Sequence, residues 1–371
     1  MKILVYDWAL HTVGGGQKFN CKIAEHLSKK HEVDILTLFP VNKKNLEELY
    51  SVNLSKVHIF SLYENSQVPS TLLKLLVSNK VSELSAKYDV FFNADAQETV
   101  KPRAKCNIMY CHFFEPRWYR PAYSLTDFFR LFGIYMLKFF RGNYAKKYKI
   151  YCNSEYTKNW LKRLWHVESK VIYPPVDIPS NNRFKKQNLV ISTGRIAPDK
   201  NYELVIDIFK RAIEDSNLKG YNLFICGKSD NLKYLSKLKE LSKGLPIKFL
   251  TDLSDNSLKE IYKKSKIFIQ AKGFGINEEK YPSLLEHFGM TTAEAMSHGA
   301  VPIVLNKGGY KETIENNKSG FLFNNVQEAV DSLKKLASNK NILSTMSKNA
   351  RKRAKRFSLQ RMQNEIDLII A

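Results

Sequence analysis

No run of about 18 uncharged apolar residues occurs in this chain, so no helix long enough to span a bilayer is expected. No apolar leader with a cleavage site precedes the first strand-like run, MKILVYDWAL, so a secretory signal is not expected either. Cysteine is sparse and irregular. Cys21, Cys106, Cys111, Cys152 and Cys226 make no C-x-x-C pair, which points to buried thiols in a reducing compartment and away from a zinc site or a disulfide framework. Acidic residues are also short: 36 Asp and Glu stand against 59 Lys and Arg, a net charge of +23. That excess favours an anionic partner, nucleic acid or an anionic membrane face, and charge alone does not choose between them. No helix-turn-helix, zinc-finger or RNP pattern accompanies it, so nucleic acid is the weaker choice. A D-x-D metal motif is missing as well; Asn93-Ala94-Asp95 misses it by one residue.

What is present is alternation. Apolar, β-branched runs at Lys2–Trp8, Val33–Phe39, Val57–Leu62, Val90–Asn93, Asn107–His112 and Ile150–Asn153 alternate with helix-like segments. In the first of these segments Phe19, Ile23 and Leu27 fall at i, i+4 and i+8, one buried helix face. The pattern restarts beyond Tyr173-Pro174-Pro175-Val176-Asp177, where consecutive prolines forbid helix. New strands are expected at Leu189–Ser192, Leu223–Cys226, Ile247–Leu250, Ile267–Gln270, Val301–Leu305 and Gly320–Phe323. The expected class is α/β, two doubly wound Rossmann-like domains. The expected limits are 1–175, 176–350, and a C-terminal helix at 351–371 that packs back on the first domain through Ile366, Leu368, Ile369 and Ile370.

Three segments carry chemistry. Gly14-Gly15-Gly16 lies between the first strand and first helix, where glycines permit close backbone approach and free N–H groups suit a diphosphate; a structural turn needs the same residues. Ser192-Thr193-Gly194-Arg195 followed by Lys200-Asn201 places one cation on a loop and a second opening a helix, a clamp for a pyrophosphate or a solvated basic loop. In Glu286-His287-Phe288-Gly289-Met290-Thr291-Thr292-Ala293-Glu294 two carboxylates bracket a glycine turn and a helix start that Thr291 or Thr292 can cap.

The run PSLLEHFGMTTAEAMSHGAVPIVLNKGG resembles the E-x7-E signature of the family 4 glycosyltransferases, and STGRIAPDKN resembles the family's diphosphate clamp. YCNSEYTKNWLKRLW, VIYPPVD and GGGQKF are similar to further family segments, in order along nearly the whole chain. EHFG, GGG and YPPVD together look most like the dolichol-linked oligosaccharide α-1,2-mannosyltransferase-like branch. The resemblance implies a GT-B fold with its two domains facing a cleft, and a retaining, metal-independent hexosyltransferase using GDP-mannose or a UDP-sugar. The nucleotide sugar is then a co-substrate and no cofactor is needed. By the same resemblance Arg195 and Lys200 bind the donor diphosphate, and Glu294 the ribose. Glu286, with the backbone of Phe288, Gly289 and Met290, holds the transferred sugar, and Thr291 stands among the donor-binding residues. Gly15 and Gly16 approach the diphosphate, and His112 faces the sugar. Gln17-Lys18 replaces the family's Glu-Arg, and Leu250-Thr251-Asp252 stands where a glycine near the base is common, so base selectivity is unread.

Between Asp127 and Glu155 the chain carries Arg130, Lys138, Arg141, Lys146, Lys147 and Lys149 and no acidic residue, interspersed with aromatics that include Phe128, Phe139 and Phe140. Such a stretch suits a helix lying on an anionic membrane, and a helix buried all round is the other reading. With the resemblance it implies a lipid-linked glycan acceptor and a cytoplasmic, peripherally membrane-associated protein. The alternatives are a soluble, protein or nucleic-acid acceptor, or a basic nucleic-acid-binding protein.

Overall fold

The computed structural model describes every residue except 13, 65–69, 95, 97–98, 115–143, 182–183, 215–217, 219 and 371. Most of the basic aromatic stretch that the sequence assigns to a membrane face lies outside the described residues, as does Asp95. Among the described residues no helix is long and apolar enough to cross a membrane.

The first sheet is built from β1 (Lys2–Asp7), β2 (Glu32–Thr37), β3 (Val57–Ser61), β4 (Val90–Asn93), β5 (Cys106–Cys111), β6 (Lys149–Cys152) and β7 (Lys170–Val171). Their order is β3-β2-β1-β4-β5-β6-β7 and every pairing is parallel. Interleaved are α1 (Gly15–Leu27), α2 (Lys43–Tyr50), α3 (Ser70–Ser85) and α4 (Glu155–Trp165). β1 is buried at every position after Lys2, as a parallel strand covered on both faces must be. The expected strands are all present within about two residues. β7, a two-residue edge, has too short a pattern to be seen in sequence. Ser154 caps α4 by accepting from Thr157 N (3.0 Å), and Thr157 Oγ1 donates to Asn153 Oδ1 (2.7 Å). The N-S-x-x-T segment is therefore a capping knot at a helix start.

The second sheet comprises β8 (Leu189–Thr193), β9 (Asn222–Cys226), β10 (Ile247–Leu250), β11 (Ile267–Gln270), β12 (Val301–Leu305) and β13 (Phe321–Phe323) in the order β10-β9-β8-β11-β12-β13. Its helices are α5 (Tyr202–Glu214), α6 (Leu232–Leu241), α7 (Asp255–Lys264), α8 (Met290–Ser297), α9 (Tyr310–Thr313), α10 (Val326–Ser338) and α11 (Lys340–Ala354). In each sheet the chain reverses its direction of progress beside the first strand, between β1 and β4 and between β8 and β11. Loops at such reversals are where doubly wound sheets bind ligands.

The chain divides into one unit of Met1–Tyr173 with Met362–Ala371 and a second of Pro174–Arg361. α11 and residues up to Arg361 thus belong with the second unit, beyond the limit of 350 expected from sequence. The chain then returns to the first unit along α12 (Leu359–Ile370), which buries Met362, Ile366 and Ile370 and places His26 Nε2 2.7 Å from Asp367 Oδ1. Leu368, expected in the buried stripe, is 78% exposed, because an i, i+4 face leaves no room for it.

Candidate active site

At the reversal point of the second sheet, β8 leads into Gly194 (φ 145°) and β9 into Gly227 (φ 151°). A Cβ on Gly227 would lie 1.9 Å from the Gly194 carbonyl oxygen, so the two loops meet backbone to backbone and only glycine fits. Arg195 follows, 56% exposed and 3.6 Å from Asp199. Lys200 ends a 3-10 turn, Pro198–Lys200, two residues ahead of the helix that the sequence has it open. Beneath these loops runs a chain of buried polar groups. The Tyr310 hydroxyl donates to Gln270 Oε1 (2.5 Å), Gln270 Nε2 donates to Thr193 O (3.1 Å), and the Tyr202 hydroxyl donates to Gly194 O (3.0 Å). Each link satisfies a group whose isolation would be costly, and together they fix the ends of β8 and β11 relative to each other.

Lys200 does not stand alone. Its Nζ lies 3.1 Å from Glu286 Oε2, and Lys272, two residues past β11, brings its own Nζ to 3.6 Å from the same oxygen. The three side chains are only 14%, 13% and 17% exposed in the order Lys200, Lys272, Glu286. Burial works to raise the Glu286 pKa, but the two ammonium groups outweigh it and hold the carboxyl well below its usual range. Burial lowers the Lys272 pKa against the pull of Glu286. The sequence reading missed Lys272; in a chain with 59 Lys and Arg, only its place immediately after a central strand distinguishes it.

The segment carrying Glu286 is held by contacts that also escaped sequence reading. Gly309 N donates to Glu286 O (2.8 Å), and Thr313 Oγ1 donates to Phe288 O (2.6 Å). A Cβ on Gly308 would sit 2.4 Å from Glu286 O, and one on Gly309 2.0 Å from His287 O. Burial drives the neighbouring His287 down to about 3, keeping it neutral. Phe288 is buried against Phe357, ring centroids 5.0 Å apart.

The expected threonine cap on α8 is not what forms. Gly289 occupies the cap at φ 91°, a left-handed backbone that threonine avoids, and no side chain caps the helix. Thr292 is fully buried, and Met290 and Thr291 make up the first turn, where N–H groups have no intrahelical partner. Glu294 lies further along α8 and lines a pocket with Asp177, Asp255, Leu258, Lys259, Tyr262 and His298. Of the residues assigned from sequence in this unit, Lys200 and Glu286 are in direct contact, while Arg195 lies beside Asp199 and Glu294 lines the pocket with Asp177 and His298. Asp252 takes φ 59°, the left-handed backbone that a glycine near this position would supply.

In the first unit Gly14 precedes α1, and Gly15 and Gly16 form its first residues. A Cβ on Gly16 would be 3.1 Å from His112 Cδ2, so the glycine makes room for the ring. His112 sits just past β5 with Tyr110 and Phe19 edge-on at 4.9 and 5.3 Å. Its Nε2 is buried with no hydrogen-bond partner among the described residues, and burial lowers its pKa to about 4. Asp7, at the end of β1, accepts from Asn20 Nδ2 (2.8 Å) and Ala9 N (2.9 Å); burial nonetheless raises it to about 6. No group of three or more His, Cys, Asp or Glu among the described residues is placed to hold a metal ion.

Residues 175–353 match the family described as Glycosyl transferases group 1, and residues 13–179 match Glycosyltransferase Family 4. The chain is 23% identical over 248 residues to a GDP-Man:Man(3)GlcNAc(2)-PP-Dol alpha-1,2-mannosyltransferase of Dictyostelium discoideum, covering 60% of this chain and 46% of that protein. It spans about half the length of the alpha-1,2-mannosyltransferases it matches. Against the Alpha-1,3/1,6-mannosyltransferase ALG2 of Candida glabrata it is 27% identical over 361 residues, 81% of this chain and 75% of that one. Among solved structures, Anabaena Alr3699/HepE in complex with UDP superposes with a TM-score of 0.73 at 19% identity, covering 99% of both chains.

Proposed function

This chain belongs to the group 1 and family 4 glycosyltransferases, and we propose that it moves a hexose from GDP-mannose or a UDP-sugar onto a lipid-linked glycan with retention of configuration. The observation that carries this reading is the buried set in which Lys200 and Lys272 share Glu286 Oε2, beside an α8 start that no side chain caps. Two cations around one carboxylate leave positive charge in a nearly dry site, and a helix N-terminus adds donors suited to the same anion. A nucleoside diphosphate is the leaving group such a site stabilises.

In this reading Arg195 and Lys200 take the charge that develops on the departing diphosphate, work done elsewhere by a metal ion. Glu286 and the backbone of Phe288, Gly289 and Met290 hold the sugar, Thr291 binds the donor beside them, and Glu294 holds the ribose. On the first unit His112, Gly15 and Gly16 carry the remaining donor assignment; neutral His112 is suited to hydrogen-bond a sugar hydroxyl. The acceptor hydroxyl enters on the face from which the nucleotide leaves, and a departing phosphate oxygen takes its proton, so no protein base is required. The net charge of +23 suits work at an anionic, cytoplasmic membrane face.

The test is calorimetry with UDP and GDP. Glu294→Ala should weaken binding of the free nucleotide, while Glu286→Ala should leave that affinity nearly intact and depress transfer. Equal loss of affinity in both variants would remove the separate roles. A wild-type protein that binds no nucleoside diphosphate would overturn the reading as a whole.

A further inference from the structure

We propose that Lys272 is the resident counter-ion of Glu286, a positioning residue whose presence frees Lys200 to move onto the donor diphosphate. The inference rests on the proposed donor reading and goes beyond it, because neither the E-x7-E pattern nor the clamp motif contains Lys272.

Lys200 is assigned to the diphosphate, yet it lies 3.1 Å from Glu286 Oε2 in a mostly buried pair. Withdrawing the sole cation from a buried carboxylate strands a charge, a strongly unfavourable step. With one lysine, Glu286 and the diphosphate would compete for it, and the carboxylate would hold it in place. The second ammonium changes that balance. Lys272 Nζ stands 3.6 Å from the same Oε2, so Glu286 keeps a counter-ion when Lys200 leaves. The two ammonium groups also repel each other across the shared oxygen, which favours the departure of one when an anion arrives.

The backbone decides which lysine stays. Lys272 follows Gln270 and Ala271, and Gln270 is fastened to Thr193 O and to the Tyr310 hydroxyl. Gly273, next along, takes φ 86° with Leu285 packed where a Cβ would be, 2.5 Å from its Cδ2. Lys272 is thus anchored on the sheet and against the segment that precedes Glu286. Lys200 sits on a short turn beside Gly194 and is the more easily re-aimed of the two.

A double-mutant cycle tests this, read by calorimetry with UDP and GDP and with uridine and guanosine as phosphate-free controls. Lys272→Met should weaken nucleoside diphosphate binding on the order of ten- to a hundredfold, because Glu286 then retains Lys200. Adding Glu286→Gln should restore the affinity to near the wild-type value, and Lys272→Arg should hardly alter it. Nucleoside binding should be the same in all. Lys272→Gln substitutes if the methionine variant fails to fold, with melting temperature as the check. Wild-type affinity in folded Lys272→Met overturns the proposal. So does a loss that Glu286→Gln fails to rescue, since Lys272 would then touch the diphosphate itself. Absence of nucleotide binding by the wild type is a different result, which overturns the donor reading.

Discussion

At the reversal point of the first sheet the chain presents three glycines, a neutral imidazole and a buried aspartate whose pKa is raised to about 6. At the equivalent point of the second sheet it presents Arg195, Lys200, Lys272 and an ionised Glu286. The strand orders are alike up to the edges, so topology does not explain the contrast. A doubly wound sheet fixes where a ligand can lie, and the residues just past each strand decide what that ligand can be. The first unit offers close approach and neutral hydrogen bonding; the second offers fixed charge.

The sharpest way to break this contrast is to remove a cation from each unit. Lys200→Met should cost about 10²–10³ in transfer rate, the usual penalty for losing one charge-stabilising donor. Lys18→Met, beside the glycines of the first unit, should leave the rate within its original order. Steady-state kinetics on both variants decides it, and a comparable loss from Lys18 would mean that the first unit shares the anion.

The next contrast is mechanical. The second unit's site is locked backbone on backbone, with no room for even one methyl group at Gly309, whereas the first unit's Gly16 faces a side chain, the His112 ring, 3.1 Å from where a Cβ would sit. Gly309→Ala should therefore destabilise the second unit by about 1–3 kcal/mol or more, as overpacking does. Gly16→Ala should be near neutral, since up to about 1 kcal/mol of helix propensity offsets the displacement of His112. Denaturant midpoints of the two variants check this; equal losses would show His112 to be as immovable as the His287 carbonyl.

How much of this contrast can be read in the sequence depends on whether a residue acts through pattern or through neighbours. Strands such as Val90–Asn93 and Val301–Leu305 are legible because parallel strands are near-continuous apolar runs between turn signals. Glu286 and Lys200, which the structure brings together, are legible because they stand at fixed spacings in a family signature. Lys272 is not, because one lysine among many means nothing until β11 is known to end two residues before it. Gly308 and Gly309 stand within the recognised run, yet their grip on Glu286 and His287 joins two loops that no local pattern links. The threonine cap misleads for the opposite reason. Thr291 and Thr292 are good cap residues, but Gly289 ahead of them adopts the backbone that starts the helix.

A smaller effect should appear in acid, where His287 and Glu286 of the second unit act together while His112 and Asp7 of the first oppose each other. In the second unit the folded pKa of His287 is lowered to about 3, so its contribution is fully present above the unfolded value near 6.5 and is lost as pH falls. Glu286, also depressed, loses its contribution as pH falls below the ordinary carboxylate range. In the first unit His112, lowered to about 4, loses stability over the same window. Asp7, raised to about 6, gains it as the folded state takes up a proton, so the two partly cancel. All four tryptophans lie before residue 174, so their fluorescence reports the first unit alone while far-UV circular dichroism reports both. Between about pH 6 and 4 the dichroism should fall before the fluorescence changes. Coincident transitions would show that the units do not differ in this way.

The smallest expected effect is none at all, on adding a chelator. The reading assigns the charge of the leaving diphosphate to Arg195 and Lys200, with Lys272 holding Glu286, and these side chains remain whether or not a divalent ion is in solution. Cations placed in a poorly solvated site are worth more to a developing anion than the same cations in water, so they can do the work of a metal. Transfer measured in EDTA should therefore match transfer in Mg²⁺ or Mn²⁺. If EDTA abolishes turnover and either ion restores it, the charge of the leaving group does not rest on the second unit's lysines. The sugar assignment of Glu286 would survive that result, because it depends on the loop that Gly309 and Thr313 hold. The diphosphate clamp would not.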